Sequence, residues 1–332
     1  MINNILLYNS GGGIGDSIQL LPFINTLKSE LKNTKLYYLS AHENHFISSL
    51  KDFNSEVETL NLNIKYFGFR WWYAFVVNKK IKDKNIKSFD LILDLQSKLR
   101  NSLILKMIPH EAFISPCLNF KLSKPSLKFK KEKKIINTIL YSINLLLETN
   151  FQLRDFNIKK IDQKFFTESE RLLPNNNYVG LSITQGNVYR KKEWPLDNII
   201  KISNKLIENK KIPVFLIKKN EEELKNKIES LVPGSLFPEY ESNLSSPALV
   251  TCIGKRLDFA ITIDNGIMHM LSLAKVPMIS LFGPTDSEKF APNYNNSIIL
   301  DSKKLYKTKN VSAITVEDVL SSAKQHLNFD YH

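Results

Sequence analysis

The run Gly11-Gly12-Gly13-Ile14-Gly15-Asp16 holds four of the chain's 11 glycines and ends on a carboxylate. In so glycine-poor a chain, such a run marks backbone that must turn tightly or approach another group closely. It fails both nucleotide fingerprints. A Gly-x-Gly-x-x-Gly loop begun at Gly11 needs glycine where Asp16 stands, and a Walker loop needs lysine between Gly15 and Ser17. A phosphate-binding loop also does not put a carboxylate where the anion sits. Two uses of Asp16 remain: a cap on the helix that follows, or a general base in a cleft.

Three further clusters carry chemistry. Tyr189-Arg190-Lys191-Lys192-Glu193-Trp194-Pro195 gathers three cations just before a helix start, which suits a diphosphate or a solvated basic loop. Trp194 reads as a packing anchor. In Asp264-Asn265-Gly266-Ile267-Met268-His269, Asp264 can cap a helix and Gly266 lets an anionic group reach the backbone amides. His269 is either a donor to phosphate or a half-buried structural histidine, and Met268 and Met270 read as core. In Phe282-Gly283-Pro284-Thr285-Asp286, the glycine and proline make a turn, and Thr285 with its amide can bind phosphate. There is no Asp-x-Asp pair to grip a metal diphosphate, and no Gly-x-Ser-x-Gly elbow. His42 and His45 have no cysteines nearby to complete a zinc site.

These clusters follow strands. Residues 5–8 read as a buried strand, 16–29 as a helix, 35–40 as a strand, 43–50 as a helix, 89–94 as a strand and 98–107 as a helix. The stretch 121–134 breaks the pattern, with seven lysines against one glutamate, and a helix carrying Ile135, Ile139 and Ile143 follows. After a linker at 161–177, strands at 178–183, 212–217, 259–263 and 276–282 alternate with helices near 195, 221–231, 247–254 and 266–275. A last amphipathic helix spans 315–327. Alternation of this kind predicts parallel sheets, here two Rossmann-like α/β domains in tandem. In such sheets ligands sit beyond the carboxyl ends of the strands. The loops 9–16, 184–195, 264–269 and 283–286 are then expected to face one interdomain cleft.

Composition narrows the partners. The 332 residues are 43% hydrophobic and 24% charged, which excludes a disordered or fibrous chain. No apolar run is long enough to span a membrane, no leader pattern opens the chain, and the two cysteines make no disulfide framework, which together predict a cytoplasmic protein. The net charge of +13 points to an anionic partner or to a coding bias toward Lys and Asn. Nucleic acid is one such partner, but no binding motif with interleaved aromatic and basic residues is present. Arg70-Trp71-Trp72-Tyr73 comes nearest, and reads as core or as a surface that meets lipid or acceptor.

Taken in order, these motifs resemble the heptosyltransferases, the inverting family 9 glycosyltransferases of lipopolysaccharide core assembly. Gly15-Asp16, then Pro22 after five residues, is similar to the family's opening. Asp94-Leu95-Gln96 with Arg100, Lys192-Glu193-Trp194-Pro195, the Asp264 to His269 run and Gly283-Pro284-Thr285-Asp286 each resemble a family segment. Asn265 stands where the family usually has Thr, and Lys218-Lys219 where a glycine often precedes a glutamate.

The resemblance implies a GT-B fold, with an acceptor-binding domain at 1–160 and a nucleotide-sugar domain at 178–312. It implies that residues 313–332 cross back onto the first domain. It implies Asp16 as general base and Lys192 at the diphosphate, with no metal or cofactor and with ADP-heptose as the expected donor. Thr184, Gly186, Arg190, Glu222, Asp264, Asn265, Gly266, His269 and Thr285 are the expected donor contacts, with Glu222 chosen from Glu221, Glu222 and Glu223 for the ribose. Gly13, Gln96, Arg100, Lys128 and Lys130 are the expected acceptor contacts. The last two lie in the lysine-rich stretch, which suits a phosphorylated glycolipid or an anionic membrane surface. A monomer at the inner face of the inner membrane is expected. The alternatives are another GT-B enzyme such as a nucleotide-sugar epimerase, or a nucleic-acid-binding protein.

Overall fold

The computed structural model describes residues 2–9, 13–40, 43–60, 67, 70–185, 191–327 and 329. The chain forms two compact units, residues 1–157 and 158–332. Each is built on a five-stranded, wholly parallel sheet.

In the first unit the chain runs through β1 (Asn4–Asn9), α1 (Ile14–Ile18), α2 (Leu21–Glu30), β2 (Lys35–Ser40), β3 (Glu58–Thr59) and α3 (Tyr73–Lys82). It continues through β4 (Phe89–Asp94), α4 (Leu99–Lys106), β5 (His110–Ile114) and α5 (Ile135–Leu147). The sheet order is β3-β2-β1-β4-β5. Ile5, Leu6, Leu7 and Tyr8 are wholly buried, as an unbroken apolar run in a central parallel strand should be. The strand order reverses between β1 and β4, the place where a parallel sheet opens a crevice beyond its carboxyl ends.

The expected helix at 16–29 is two helices. Pro22 sits in the first turn of α2, where its missing N–H leaves no helical bond unmade, so α1 ends before it. The expected helix at 43–50 is instead two 3-10 turns, His45–Ile47 and Lys51–Phe53. Asn44 caps the first by accepting from the Phe46 amide at 3.2 Å, and the left-handed Asn54 closes the second. Among the described residues, the lysine-rich stretch 121–134 forms neither helix nor strand. Lys124 makes an antiparallel bridge to Phe113, so the stretch borders the outer strand β5.

The second unit runs through α6 (Gln163–Leu172), β6 (Tyr178–Ser182), α7 (Leu196–Glu208), β7 (Ile212–Phe215), α8 (Glu222–Leu231), α9 (Pro238–Glu241) and α10 (Pro247–Ile253). Then come β8 (Leu257–Ile263), α11 (Gly266–Leu273), β9 (Met278–Phe282), α12 (Ser287–Phe290), β10 (Ser297–Asp301), α13 (Ser302–Tyr306) and α14 (Val316–Leu327). The order is β10-β9-β8-β6-β7, with the reversal between β6 and β8.

One expectation about the chain's organisation is corrected here. The stretch expected as a linker contains α6, which packs against α10 and buries Phe165, Ser169 and Leu172. Its signals were an Asp162 cap and an apolar stripe thinned by the serine at its centre. The last helix packs on the core of the second unit. Val316, Val319, Leu320 and Ala323 of α14 share a core with Ile199, Ile202 and Leu206 of α7, and Phe329 packs 5.5 Å from Phe259. The Trp194 indole donates to the Ile314 carbonyl at 2.8 Å, which ties the entry of α14 to that same core. Trp194 is thus a packing anchor, as expected.

Among the described residues no helix is long and apolar enough to cross a membrane, and no three His, Cys, Asp or Glu side chains gather where they could hold a metal ion.

Candidate active site

In the first unit the expected base stands at the strand-order reversal. Gly13 is the N-cap of α1, in extended conformation, and Asp16 lies exposed in the helix's first turn. Capping is therefore not Asp16's role, although a carboxylate there is favoured by the helix dipole.

A chain of bonds fixes this turn to the sheet. Asp94, wholly buried at the end of β4, accepts from the Ser102 and Ser115 hydroxyls at 2.5 and 2.7 Å and from the Gln96 and Ser97 amides at 3.0 and 3.2 Å. A buried carboxylate needs this many donors to offset lost hydration. The Gln96 amide is thereby aimed across to Asn9, whose side-chain carbonyl it reaches at 2.5 Å, and Asn9 donates in turn to the Asp16 carbonyl at 3.4 Å. Ser17 lies 3.3 Å from the Tyr38 hydroxyl. Burial, reinforced by the nearby Asp16 charge and opposed by bonds from Ser17 and Asn9, pushes that phenol up to about 12.

Gln96, expected as an acceptor contact, is thus joined to the Asp16 turn. Asn9, Ser102 and Ser115 were not singled out there, since nothing local marks a serine as a carboxylate's partner. Arg100 is exposed in the first turn of α4. Lys128 and Lys130 lie on the irregular stretch bordering β5 and are exposed, and Lys130 pairs with Glu132 at 2.8 Å.

In the second unit the loop after β6 and the start of α11 meet at the other reversal. The Lys192 ammonium reaches the Asp264 carboxylate at 2.5 Å and the Asp264 carbonyl at 3.1 Å, with side chains only 14% and 8% exposed. An ammonium has three donors, so a third can serve an incoming anion. Asn265 caps α11 by accepting from the Met268 amide at 3.0 Å, and its amide nitrogen donates to the Ser182 hydroxyl and the Thr184 carbonyl at 2.6 and 2.8 Å. Its side chain therefore clamps the loop after β6 onto the helix start. Thr184 takes part through that carbonyl. Gly266 opens α11, and His269 is buried on its first turn. Gly186 and Arg190, both expected at the donor, lie outside the described residues.

Beyond β9, a Cβ on Gly283 would meet the Lys309 carbonyl at 2.8 Å and the Val311 amide at 3.0 Å, so only glycine fits this turn. Two residues on, Thr285 has a buried hydroxyl with no hydrogen-bond partner among the described residues.

Beyond β7 the structure separates the three glutamates. Glu222 and Glu223 are exposed on the first turn of α8. Glu221 is the half-buried N-cap, and its Oε2 is buried without a partner among the described residues. The inward-facing carboxylate is thus Glu221, one residue from the choice made on sequence.

Near it, Glu239 of α9 is 6% exposed and accepts from the Ser245 hydroxyl at 3.1 Å. Burial, aided by the Glu221 charge and opposed by the Ser245 bond and Lys218 and Lys219, pushes its carboxyl from 4.5 up to about 7. Between those two values the folded chain keeps a proton that the unfolded chain has lost. Stability therefore falls as pH rises through this window, by about 3 kcal/mol in full. Glu239→Gln removes that loss. Its melting temperature is expected to equal the wild type's near pH 5 and to exceed it by several degrees at pH 8. Parallel pH curves for the two proteins would refute the assignment.

Three comparisons bear on this arrangement. The sequence model described as glycosyltransferase family 9 (heptosyltransferase) matches residues 77–320, a span that begins after the Asp16 turn. A lipooligosaccharide heptosyltransferase 2 of Campylobacter jejuni is 22% identical over 291 residues, covering 86% of this chain and 82% of that one. Among solved structures, a family 9 glycosyl transferase from Veillonella parvula superposes with a TM-score of 0.71 at 17% identity, over 98% of this chain and 97% of that one. E. coli heptosyltransferase WaaC with ADP superposes with a TM-score of 0.70 at 14% identity, over 97% of this chain and 99% of that one. At such identities the superpositions carry the fold, two parallel-sheet α/β units of GT-B type.

Proposed function

The chain belongs to glycosyltransferase family 9, the heptosyltransferases, and from that membership we propose that it transfers a heptose, with inversion, from a nucleoside-diphosphate donor to a lipopolysaccharide-type glycolipid. The observation that carries this reading is the Lys192–Asp264 pair at the opening of α11. It sets a lysine beside the free amides of a helix start, and both favour a diphosphate. The ADP-linked heptose is supported by the Campylobacter relative's name and by the ADP in the E. coli structure's description.

In this reading the acceptor hydroxyl attacks the anomeric carbon on the face opposite the diphosphate. The new C–O bond forms as the bond to the diphosphate breaks, and the hydroxyl proton passes to Asp16. The leaving diphosphate is an anion and needs no acid. Lys192, the α11 amides and the Thr285 hydroxyl meet its charge in place, so the step needs no metal. Glu221 accepts from the ribose hydroxyls. Gln96 and Arg100 hold the acceptor beside Asp16, and the enzyme works at the cytoplasmic face of the membrane that carries this glycolipid.

A panel of nucleoside diphosphates tests the donor half. A ligand bound only by the native state stabilises it, by about 2.7 kcal/mol at a hundredfold excess over Kd. ADP is expected to raise the melting temperature more than UDP, GDP or CDP, and ADP-heptose to be consumed only when acceptor is present. A panel without any shift would remove the donor site from the second unit.

A further inference from the structure

The helices α3 and α4 cover one face of the first sheet, and their inner residues Ala74, Val77, Ile81, Ile104 and Leu105 share its core. They are also joined directly, since the Asn78 amide donates to the Met107 carbonyl at 3.0 Å. Their outer faces are unusual. Trp71 is 70% exposed and Phe75 59% exposed, with Trp72 beside them and ring centroids 6.0 Å apart. On α4, Leu99 and Leu103 are 45% and 48% exposed, and Met107 just past the helix end is 47% exposed. A monomeric surface seldom shows so many large apolar groups on two adjoining helices unless they meet something.

The charges around them are, but for Asp83, of one sign. On α3 the exposed stripe that starts at Trp71 and Phe75 continues as Lys79 and Lys82. Lys98 and Lys106 bracket α4. Asp83 is the one exposed carboxylate between residues 70 and 107, since Asp90 is half-buried against the Asn3 and Asn4 amides and Asp94 is buried. Arg70 stacks on Trp72 at 5.2 Å. Aromatic rings that sit at the headgroup level, flanked by lysines that reach phosphate, are the side chains suited to an anionic bilayer surface.

We propose that the joined outer faces of α3 and α4 dock this unit on an anionic lipid bilayer, with Trp71, Phe75 and Leu103 entering the interface and Lys79, Lys82 and Lys106 meeting lipid phosphates. This places the contact on α3 and α4, next to the start of the lysine-rich 121–134 stretch, whose Leu122 packs against the same core. It also has a consequence for the site, and that part rests on the glycolipid acceptor proposed above. Leu99, at the start of α4, lies three residues past Gln96, whose side chain reaches Asn9 and through it the Asp16 turn, so the docked face continues from the loop that supports that turn. A lipid-anchored acceptor would be presented to the turn that needs it.

Sedimentation with phosphatidylcholine vesicles, with and without phosphatidylglycerol, tests this on the full chain. The wild type is expected to bind the anionic vesicles, to release them as salt rises, and to shift its tryptophan emission to the blue on binding, since Trp194 is already buried. The double variant Trp71→Ser/Phe75→Ser should bind at least tenfold more weakly, with unchanged melting temperature and ADP affinity and unchanged turnover on a delipidated acceptor. Lys79→Glu/Lys106→Glu should lose binding in the same way, whereas Lys128→Glu/Lys130→Glu should keep it. The proposal is overturned if the wild type ignores anionic vesicles, or if the Trp71/Phe75 variant binds as well as the wild type. It is also overturned if the face instead holds a second copy, seen as a dimer that this variant dissolves. Loss of turnover with vesicle binding intact would count against the proposed reaction and leave the docking face standing.

Discussion

Asp16→Asn is expected to lower transfer by about 10²–10⁴-fold, the usual contribution of a positioned general base, while the fold and nucleotide affinity stay as they are. Asparagine is the informative replacement because it keeps the shape and is as good a helix-capping residue as aspartate. A purely structural role at the helix start would therefore survive the change, apart from a helix-dipole term of about 0.3–1 kcal/mol. Asp16 is exposed, and its turn is held from behind through the chain of Asn9, Gln96 and Asp94. The loss should fall on kcat, with the KM for the donor little changed, because the proposed donor site lies in the other unit. Full turnover by the asparagine variant would show that Asp16 is not the base.

Lys192→Ala should have the largest combined effect, on both donor binding and stability. Removing a preorganised positive group from a developing charge lowers kcat by about 10²–10³-fold. It also leaves the Asp264 carboxylate, 8% exposed, without its ion partner, and an uncompensated buried charge destabilises by about 3–5 kcal/mol. The two effects can be separated. In Lys192→Met/Asp264→Asn no charge is left buried alone, so stability should return toward the wild type while ADP binding and turnover stay low. Titration calorimetry with ADP and thermal melts read the two quantities independently. An alanine variant that binds ADP as tightly as the wild type would dismiss Lys192 from the diphosphate.

Much of the fold was legible because parallel sheets write themselves plainly. Central strands are buried on both faces, so β1, β4, β6 and β9 appear as short unbroken apolar runs, and the loops that follow them hold the glycines and charged residues. What escaped was marginal by the same physics. The edge strand β10 leaves Ile299 41% exposed, and the edge strand β3 is two residues long. α6 buries few apolar side chains, so its period was weak. α3 has a clear buried stripe, but the aromatics on its outer face hid it, because large apolar residues on both sides of a helix read as core.

The sequence by itself determined the types of the candidate site residues and their stations after strands: Asp16 after β1, Gln96 after β4, Lys192 after β6, Asp264 after β8 and Thr285 after β9. The +13 charge was visible too, but not where it acts. Only the tertiary structure decided which groups meet. Lys192 and Asp264 are 72 positions apart, and Gln96 and Asn9 are 87 apart, and each pair is made because the sheet sets β6 beside β8 and β1 beside β4. It also turned Glu221 inward and Glu222 outward, because a step of one residue at a helix start moves a side chain from half-buried to exposed. And it placed α14 in the second unit, because the stripe Val316, Val319, Leu320 and Ala323 specifies that a helix will pack but not against which surface. Local sequence encodes periodicity and chemistry, whereas partners across the chain are selected by burial, which acts on the folded whole.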